Sequence, residues 1–427
     1  MKLKIKNLMA IKSAEIHLDG ISVIVGKNST GKSTIARSFF TNIKSINLSK
    51  KYYGEILSKE LFLSSNFNEL GFSYFEISKK ATDLAQKING RNYEEVNKTL
   101  EEIRIVANQK NNTQIVAILN KVEKAIETFK QNKVPDWVFS QVYMNIVRDV
   151  TGVVHSDYVF QTNRSGSNDY SEVLFNWEGV CNLTYNVKDN GLGLMSMVSL
   201  SNELSDLDVD VTYISSPSLM DLNKVICDSR SDFEDNIWPL GMGSNENRVP
   251  FVYKDFSVKL KKDSAYSFKS KSFENVNIAY DSKKNMFLEH INGSSISSFA
   301  SASGRKMFYQ IMKIIDDQIW QKSSVIVLDE PEVHLHPEAQ VELAKIIVDT
   351  YEQTGIKFLI NSHSSYFIEA IYASSLSIKR KSPRYYFSTK DKDGKIVYRE
   401  EVGEIDSMLR SFLGGFDEIK KIYGAQK

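Results

Sequence analysis

Nine consecutive residues, Gly26-Lys27-Asn28-Ser29-Thr30-Gly31-Lys32-Ser33-Thr34, have the types and spacing to do chemistry. Two glycines let the backbone fold back so that successive N–H groups converge on one point, and a lysine and a hydroxyl follow at once; this is a cradle for phosphate. In that reading Gly26, Lys27, Asn28, Ser29 and Gly31 shape the loop, and Lys32 reaches the β- and γ-phosphates of a nucleotide. Ser33 ligates Mg²⁺, and Thr34 lies in the same first helical turn.

Such a loop needs a second strand that brings a carboxylate to the metal. Residues 325–328 are four apolar residues followed by Asp329 and Glu330. Asp329 would hold the hydrated Mg²⁺ and Glu330 would polarise the attacking water; the alternative is that the two acids cap a helix starting near Pro337. Three of the six histidines fall between 334 and 363. His334 and His336 have the spacing of a metal pair but no neighbouring cysteine or further acid to complete one. His363 follows a buried-strand pattern, Lys357-Phe-Leu-Ile-Asn361, and precedes an expected helix at 366–371. At the carboxyl end of a parallel strand its imidazole would face the ligand crevice and contact the γ-phosphate; the alternative is a buried histidine satisfied by backbone.

These residues need elements to hold them. Alternation predicts strands at 3–7, 14–18 and 22–25, the third apolar enough to be central. After the glycine loop, Ile35, Phe39 and Ile43 recur on one helix face. From 92 to 130 two helices are expected, broken at 110–113. One carries the stripe Val96, Leu100 and Ile103; the other carries Ile115, Ile118, Val122, Ala125 and Phe129. At roughly 1.5 Å per residue the second reaches about 25–30 Å. The pair is either a stubby projection or a lateral subdomain packed on the sheet. Strands follow at 173–177, 183–187 and 211–214, a loop rich in Gly and Pro at 228–250, and a hairpin at 276–288. From 305 onward helices and strands alternate. The resulting division is 1–75 with the phosphate loop, 76–150 as a helical hairpin insertion, 151–300 as a β-rich lobe, and 301–427 with the acidic strand and the switch histidine.

Composition narrows the class. The 427 residues carry 54 Lys and Arg against 53 Asp and Glu, with 42% hydrophobic and 25% charged residues. This excludes a disordered, collagen-like or histone-like chain; a basic groove balanced by acid elsewhere stays open. Two distant cysteines, Cys181 and Cys227, fit a reducing compartment. No signal peptide or membrane span is expected, so the expected location is the cytoplasm.

Three strings together resemble the ATP-binding-cassette ATPases of the SMC, RecF and overcoming-lysogenization-defect type: Gly26-Lys-Asn-Ser-Thr-Gly-Lys-Ser, Leu328-Asp-Glu-Pro-Glu-Val-His-Leu-His-Pro337 and Asn361-Ser-His-Ser364. The resemblance covers about residues 1–45 and 210–375, including Tyr213-Ile-Ser-Ser-Pro217. It implies an α/β fold, an ABC-type P-loop ATPase with a mixed central sheet, an antiparallel β lobe and an inserted short helical hairpin. It also implies ATP and Mg²⁺, and a homodimer or higher homo-oligomer in which one chain closes on the nucleotide of another.

The closing segment would be Ala302-Ser303-Gly304-Arg305-Lys306, ahead of a helix at 307–315. Ser303 and Gly304 would touch the partner's γ-phosphate, and Arg305 and Lys306, replacing the family's usual Gln or Glu, would make that contact cationic. Gln161 is the candidate for the glutamine that couples Mg²⁺ to the lateral lobe. The nuclease domain of the overcoming-lysogenization-defect proteins is not expected in the 64 residues beyond His363. Asp391-Lys-Asp393 fits an Asp-Gly turn between strands at 384–388 and 395–398 better than a nuclease site, and 405–412 reads as an amphipathic helix. Similar stand-alone chains are ATPase partners of separate nucleases in anti-phage systems such as PARIS and Septu. The implied function is therefore a defence ATPase controlling a separate effector, a nuclease, with duplex DNA or a phage protein as trigger and the helical hairpin or loop 228–250 as partner surface. The alternatives are a RecF-like DNA-repair clamp and a nucleotide-gated scaffold.

Overall fold

Lys2, Lys4 and Lys6 alternate with Leu3 and Ile5, and in the computed structural model that period of two becomes strand β1 (Lys2–Leu8), its apolar residues buried. The structure describes residues 1–51, 53–63, 70–131, 133–135, 137–139, 171–178, 181–187, 198–199, 210–215, 265–284, 286–291, 293–318 and 325–401. Loop 228–250, Gln161 and the helix expected at 405–412 lie outside them. β2 (Ile11–His17) starts earlier than the polar pattern suggests, because Ile11 is fully buried opposite Leu8. β3 (Ile21–Val25) is buried at every position and leads through the glycine loop into α1 (Lys32–Lys51).

Four helices follow: α2 (Tyr53–Leu63), α3 (Tyr74–Asn89), α4 (Tyr93–Gln109) and α5 (Thr113–Lys130). Each of the last three begins on a side chain that satisfies a free N–H. Ser73 and Glu76 cap one another reciprocally at α3, while the Asn92 and Asn112 carbonyls accept from Glu95 N and Ile115 N. α4 and α5 are the expected pair. Their buried positions, Val96, Leu100, Ile103 and Ala107 with Ile115, Leu119, Val122 and Ile126, belong to the same core as the sheet. The pair is therefore part of a lateral helical layer rather than a projection. On α5, Leu119 and Ile126 are buried while Ile118 and Phe129 are only partly covered, because the helix packs on α2 as well as α4. There Tyr53 stacks on Phe129, ring centroids 3.9 Å apart, and donates its hydroxyl to Ala125 O at 2.5 Å. Tyr53→Phe is expected to lower the unfolding free energy by about 1 kcal/mol in a denaturant titration; an unmoved midpoint would show that this bond contributes nothing net.

β4 (Ser171–Trp177), β5 (Cys181–Val187), β6 (Val198–Ser199) and β7 (Val211–Ile214) precede a separate antiparallel sheet. That sheet holds β8 (Ala265–Ser270), β9 (Glu274–Asp281), β10 (Met286–Ile291) and β11 (Ser294–Ser297), and the expected hairpin at 276–288 is its β9–β10 pair. The chain continues through α6 (Ser303–Gln318), β12 (Val325–Asp329), α7 (Pro337–Thr354), β13 (Lys357–Ser362), α8 (Ser365–Ser375), β14 (Arg384–Lys390) and β15 (Ile396–Glu401).

The main sheet has 11 strands in the order β6-β5-β4-β1-β2-β15-β14-β3-β13-β12-β7. Its β14-β3-β13-β12-β7 half is parallel, and the β6-β5-β4-β1-β2 wing is antiparallel. Parallel strands must be covered on both faces. On one face Ile24, Val325, Val327 and Leu359 share a core with α1; on the other Val23, Ile326, Leu328 and Ile360 share one with α6, α7 and α8. The fold is thus a mixed α/β P-loop fold with an added antiparallel sheet.

The β14–β15 hairpin turns at Gly394, φ 76°. Asp391 accepts from Asp393 N at 3.0 Å and Lys395 N at 2.8 Å, and Lys12 pairs with both acids at 2.5 and 3.4 Å. The hydrogen bond from Lys12 holds the Asp391 carboxyl below its ordinary range. The Asp-x-Asp string is a turn held to β2, as its flanking strands predict.

Candidate active site

Glycine is required at two points of the loop between β3 and α1. Gly31 has φ +92°, and a Cβ there would stand 2.7 Å from Ile11 Cγ1; at Gly26 it would stand 2.5 Å from Ser388 Oγ. The loop is also anchored from inside and outside. Thr30 Oγ1 donates to Lys27 O at 2.8 Å, and the Tyr398 hydroxyl, from β15, donates to Thr30 Oγ1 at 3.1 Å. Lys32 is 4% exposed. Its ammonium donates to Gly26 O at 2.8 Å and Lys27 O at 3.0 Å, so the charge sits at the centre of the cradle.

The period of the sheet brings the rest to that cradle. Val325, Val327 and therefore Asp329 point to the α1 face, as do Leu359 and therefore Asn361, and Val211 and Tyr213. Asp329 pairs in register with Asn361 on the neighbouring parallel strand. The Asp329 carboxylate accepts from Ser33 Oγ at 3.2 Å, from Asn361 Nδ2 at 2.8 Å and from the Tyr213 hydroxyl. Burial, with Asp329 beside it, pushes the Tyr213 phenol well up, which keeps it a donor. Glu330 takes the left-handed conformation, φ 55°, with its N–H on Asn361 O at 2.9 Å. Its Oε1 lies 3.3 Å from Lys32 Nζ and 3.2 Å from His363 Nδ1. Glu332 is buried under this turn; loss of hydration pushes its carboxyl up, against the hydrogen bonds from Ser362 and His363.

The cleft so formed has a volume of 460 Å³ and is lined by Asn28, Ser29, Thr30, Gly31, Lys32, Ser33, Thr34, Ser215, Asp329, Glu330, Val333 and His334. Gly26 and Lys27 contribute carbonyls to Lys32, and His363 stands behind Glu330. Ser303 and Gly304 form the first turn of α6 rather than the cleft wall, and a Cβ on Gly304 would meet His334 O at 2.8 Å. Arg305 corrects an expectation. It is paired within its own chain to Glu289 Oε1 at 2.6 Å and donates to Phe273 O at 3.0 Å, so it is not presented to a second copy. The reason is the small sheet beside α6, which buries Glu289 and leaves it in need of a cation.

His334 lines the cleft with φ 71°, and His336 is the N-cap of α7. Among the described residues no cluster of three or more His, Cys, Asp or Glu forms a metal cage. Ser33 Oγ and Asp329 Oδ1, 3.2 Å apart, are hard oxygens of the kind Mg²⁺ takes when phosphates complete its shell, and they fit that ion. Sequence reasoning left Tyr213, Asn361, Glu332 and Tyr398 without roles. A polar Asn closing an apolar strand was a signal for one, and membership of the motif strings for Tyr213 and Glu332; Tyr398 carried none.

A search of the curated proteins finds no match. Among solved structures, the chain is similar to an SMC head bound to the C-winged helix domain of ScpA, at 12% identity over 96% of this chain and 98% of that one, TM-score 0.39. It is also similar to the SMC head domain from Thermotoga maritima, at 11% identity over 94% and 98%, TM-score 0.35. A third is an Smc head domain with an extended coiled coil, bound to the C-terminal domain of ScpA derived from Pyrococcus furiosus, at 10% identity over 98% of each chain, TM-score 0.31. No helix among the described residues is long and apolar enough to cross a membrane. The family model for the AAA ATPase domain matches residues 1–368, a span that holds the glycine loop, Asp329, Glu330 and His363, and the chain belongs to that family.

Proposed function

We propose that this chain is an ABC-type ATPase subunit that binds ATP with Mg²⁺, self-associates around it, hydrolyses it, and through that cycle controls a separate effector, a nuclease, in anti-phage defence. The observation that carries the ATPase part is the convergence of Lys32, Ser33, Asp329 and Glu330 on one cleft, with His363 3.2 Å from Glu330. The defence role rests on the resemblance of the chain to the SMC, RecF and overcoming-lysogenization-defect ATPases, among which similar stand-alone chains are ATPase partners of separate nucleases. It is supported by Asp391 and Asp393, which are engaged in a hairpin turn with Lys12 instead of forming a nuclease centre.

Ser33 and Asp329 would hold Mg²⁺, which would supply positive charge against the phosphates. Lys32 binds the β- and γ-phosphates from the centre of its loop. Glu330 orients a water and accepts its proton as the water oxygen bonds to the γ-phosphorus and the bond to the ADP oxygen breaks. His363, its Nδ1 facing Glu330, offers the other ring nitrogen to the γ-phosphate. Ser303 and Gly304 of a second copy close the cleft with the N-terminus of α6.

The test is to tag the protein in its native gene neighbourhood, purify it gently with ATP and Mg²⁺, and identify what accompanies it. A stoichiometric nuclease is expected. Recovery with duplex DNA alone, released by salt, would replace the effector reading with a RecF-like clamp.

A further inference from the structure

Just beyond the acidic strand stands a carboxylate for which the hydrolytic roles have no use. Glu332 is 3% exposed, and a carboxylate taken out of water needs partners. All the partners of its Oε1 come from one short stretch of chain, the link between β13 and α8. Ser362 Oγ donates at 2.7 Å, His363 N at 3.0 Å and Ser364 N at 3.3 Å. Among the described residues Oε2 has no hydrogen-bond partner, so the bonding of this buried charge is concentrated on that link.

The geometry points to Glu332 as the positioning residue for His363. Oε1 of Glu332 lies 3.6 Å from His363 Nδ1, on the nitrogen that Glu330 approaches to 3.2 Å. Two carboxylates on the Nδ1 side of the ring, with the backbone N–H of the same histidine bound to one of them, bias the ring toward turning its Nε2 to a phosphate. Ser364 extends the mount: its hydroxyl donates to Gln340 Oε1 at 2.7 Å and accepts from Phe367 N at 3.3 Å, which starts α8. Glu332 and Gln340 both follow Glu330 in the chain. Glu332 lies in the turn that aims Glu330 into the cleft, and Gln340 of α7 adds a second hold on the link that carries His363.

This inference rests on the reading of Glu330 and His363 as the hydrolytic pair. Its test is a double-mutant cycle in the full chain, because a residue that acts only through another adds no loss once the other is gone. Glu332→Gln keeps the volume and one acceptor oxygen and removes the charge. It is expected to lower kcat about tenfold, as small misplacements of reacting groups do. KM and the affinity for a non-hydrolysable ATP analogue should stay within about twofold. In a His363→Ala background the same substitution is expected to cost less than about twofold more. A full further tenfold loss in the double variant overturns the inference, and so does an undiminished kcat in Glu332→Gln when His363→Ala is impaired. Full activity of His363→Ala would sink the reading of His363 itself. Should Glu332→Gln melt early, Ser362→Ala removes one donor from the same oxygen and leaves the charge in place; about a threefold loss of kcat, again absent in the His363→Ala background, is expected.

Discussion

Glu330→Gln is expected to lower the rate of ATP hydrolysis by at least about 10²- to 10⁴-fold while leaving ATP binding intact. The side chain is one-third exposed, on the cleft side, between Lys32 and His363. Its backbone is held at φ 55°, a conformation that costs a non-glycine residue about 1–3 kcal/mol. Two bonds sustain it: Glu330 N to Asn361 O at 2.9 Å, and Val333 N to Glu330 O at 3.2 Å. Together they turn the residue after Asp329 out of the strand period and into the cleft. Glutamine fits the same space and the same bonds but cannot accept a proton. Single-turnover hydrolysis should therefore slow by that factor while ATP-dependent association, read by light scattering, persists or lengthens. Equal turnover in the variant and the parent would remove Glu330 from the reaction.

Lys32→Ala is expected to act at the earlier step, weakening ATP affinity by roughly 30- to 25,000-fold. The expectation follows from a buried cation replaced by a methyl group at a site where two charge-assisted hydrogen bonds, worth about 1–3 kcal/mol each, would form. In the protein those donors rest on Gly26 O and Lys27 O, and the ammonium faces Glu330. Calorimetric titration with a non-hydrolysable analogue and Mg²⁺ reads the loss directly. The fold should tolerate the change, since the loop keeps its other anchors, Thr30 Oγ1 on Lys27 O and the Tyr398 hydroxyl on Thr30 Oγ1. Retained affinity with an intact melting transition would mean that phosphate is bound elsewhere.

How much of this was legible in the sequence can be judged residue by residue. The glycine loop was, because φ +92° at Gly31 is a demand of local backbone geometry that glycine meets best; the approach of Ser388 to Gly26 is a tertiary contact no spacing shows. Asp329 and Asn361 were legible as strand ends, and the strand period alone assigns them to one face. Arg305 was misread, because its partner Glu289 sits on a different element and no spacing connects the two. The helical pair at 93–130 was visible as two amphipathic stripes. Its lateral docking was not, because Tyr53, which fastens it, lies outside both stripes.

By itself, then, the sequence determined the parts whose cause is local: the phosphate loop, the apolar strands that end in Asp329 and before His363, and the helices that begin on Ser73, Asn92 and Asn112. Tertiary structure alone decided which strands are neighbours. It placed β13 between β3 and β12, so that Asn361 reaches Asp329 and the His363 link meets Glu332. It brought Tyr398 to Thr30 across 368 residues of chain, and Tyr213 to Asp329 across 116. The physical reason is that strand propensity and periodicity fix which face a side chain takes but carry no information about its partner. Pairing between distant segments is selected by the packing of two whole cores at once, a property of the assembled sheet and not of any stretch within it.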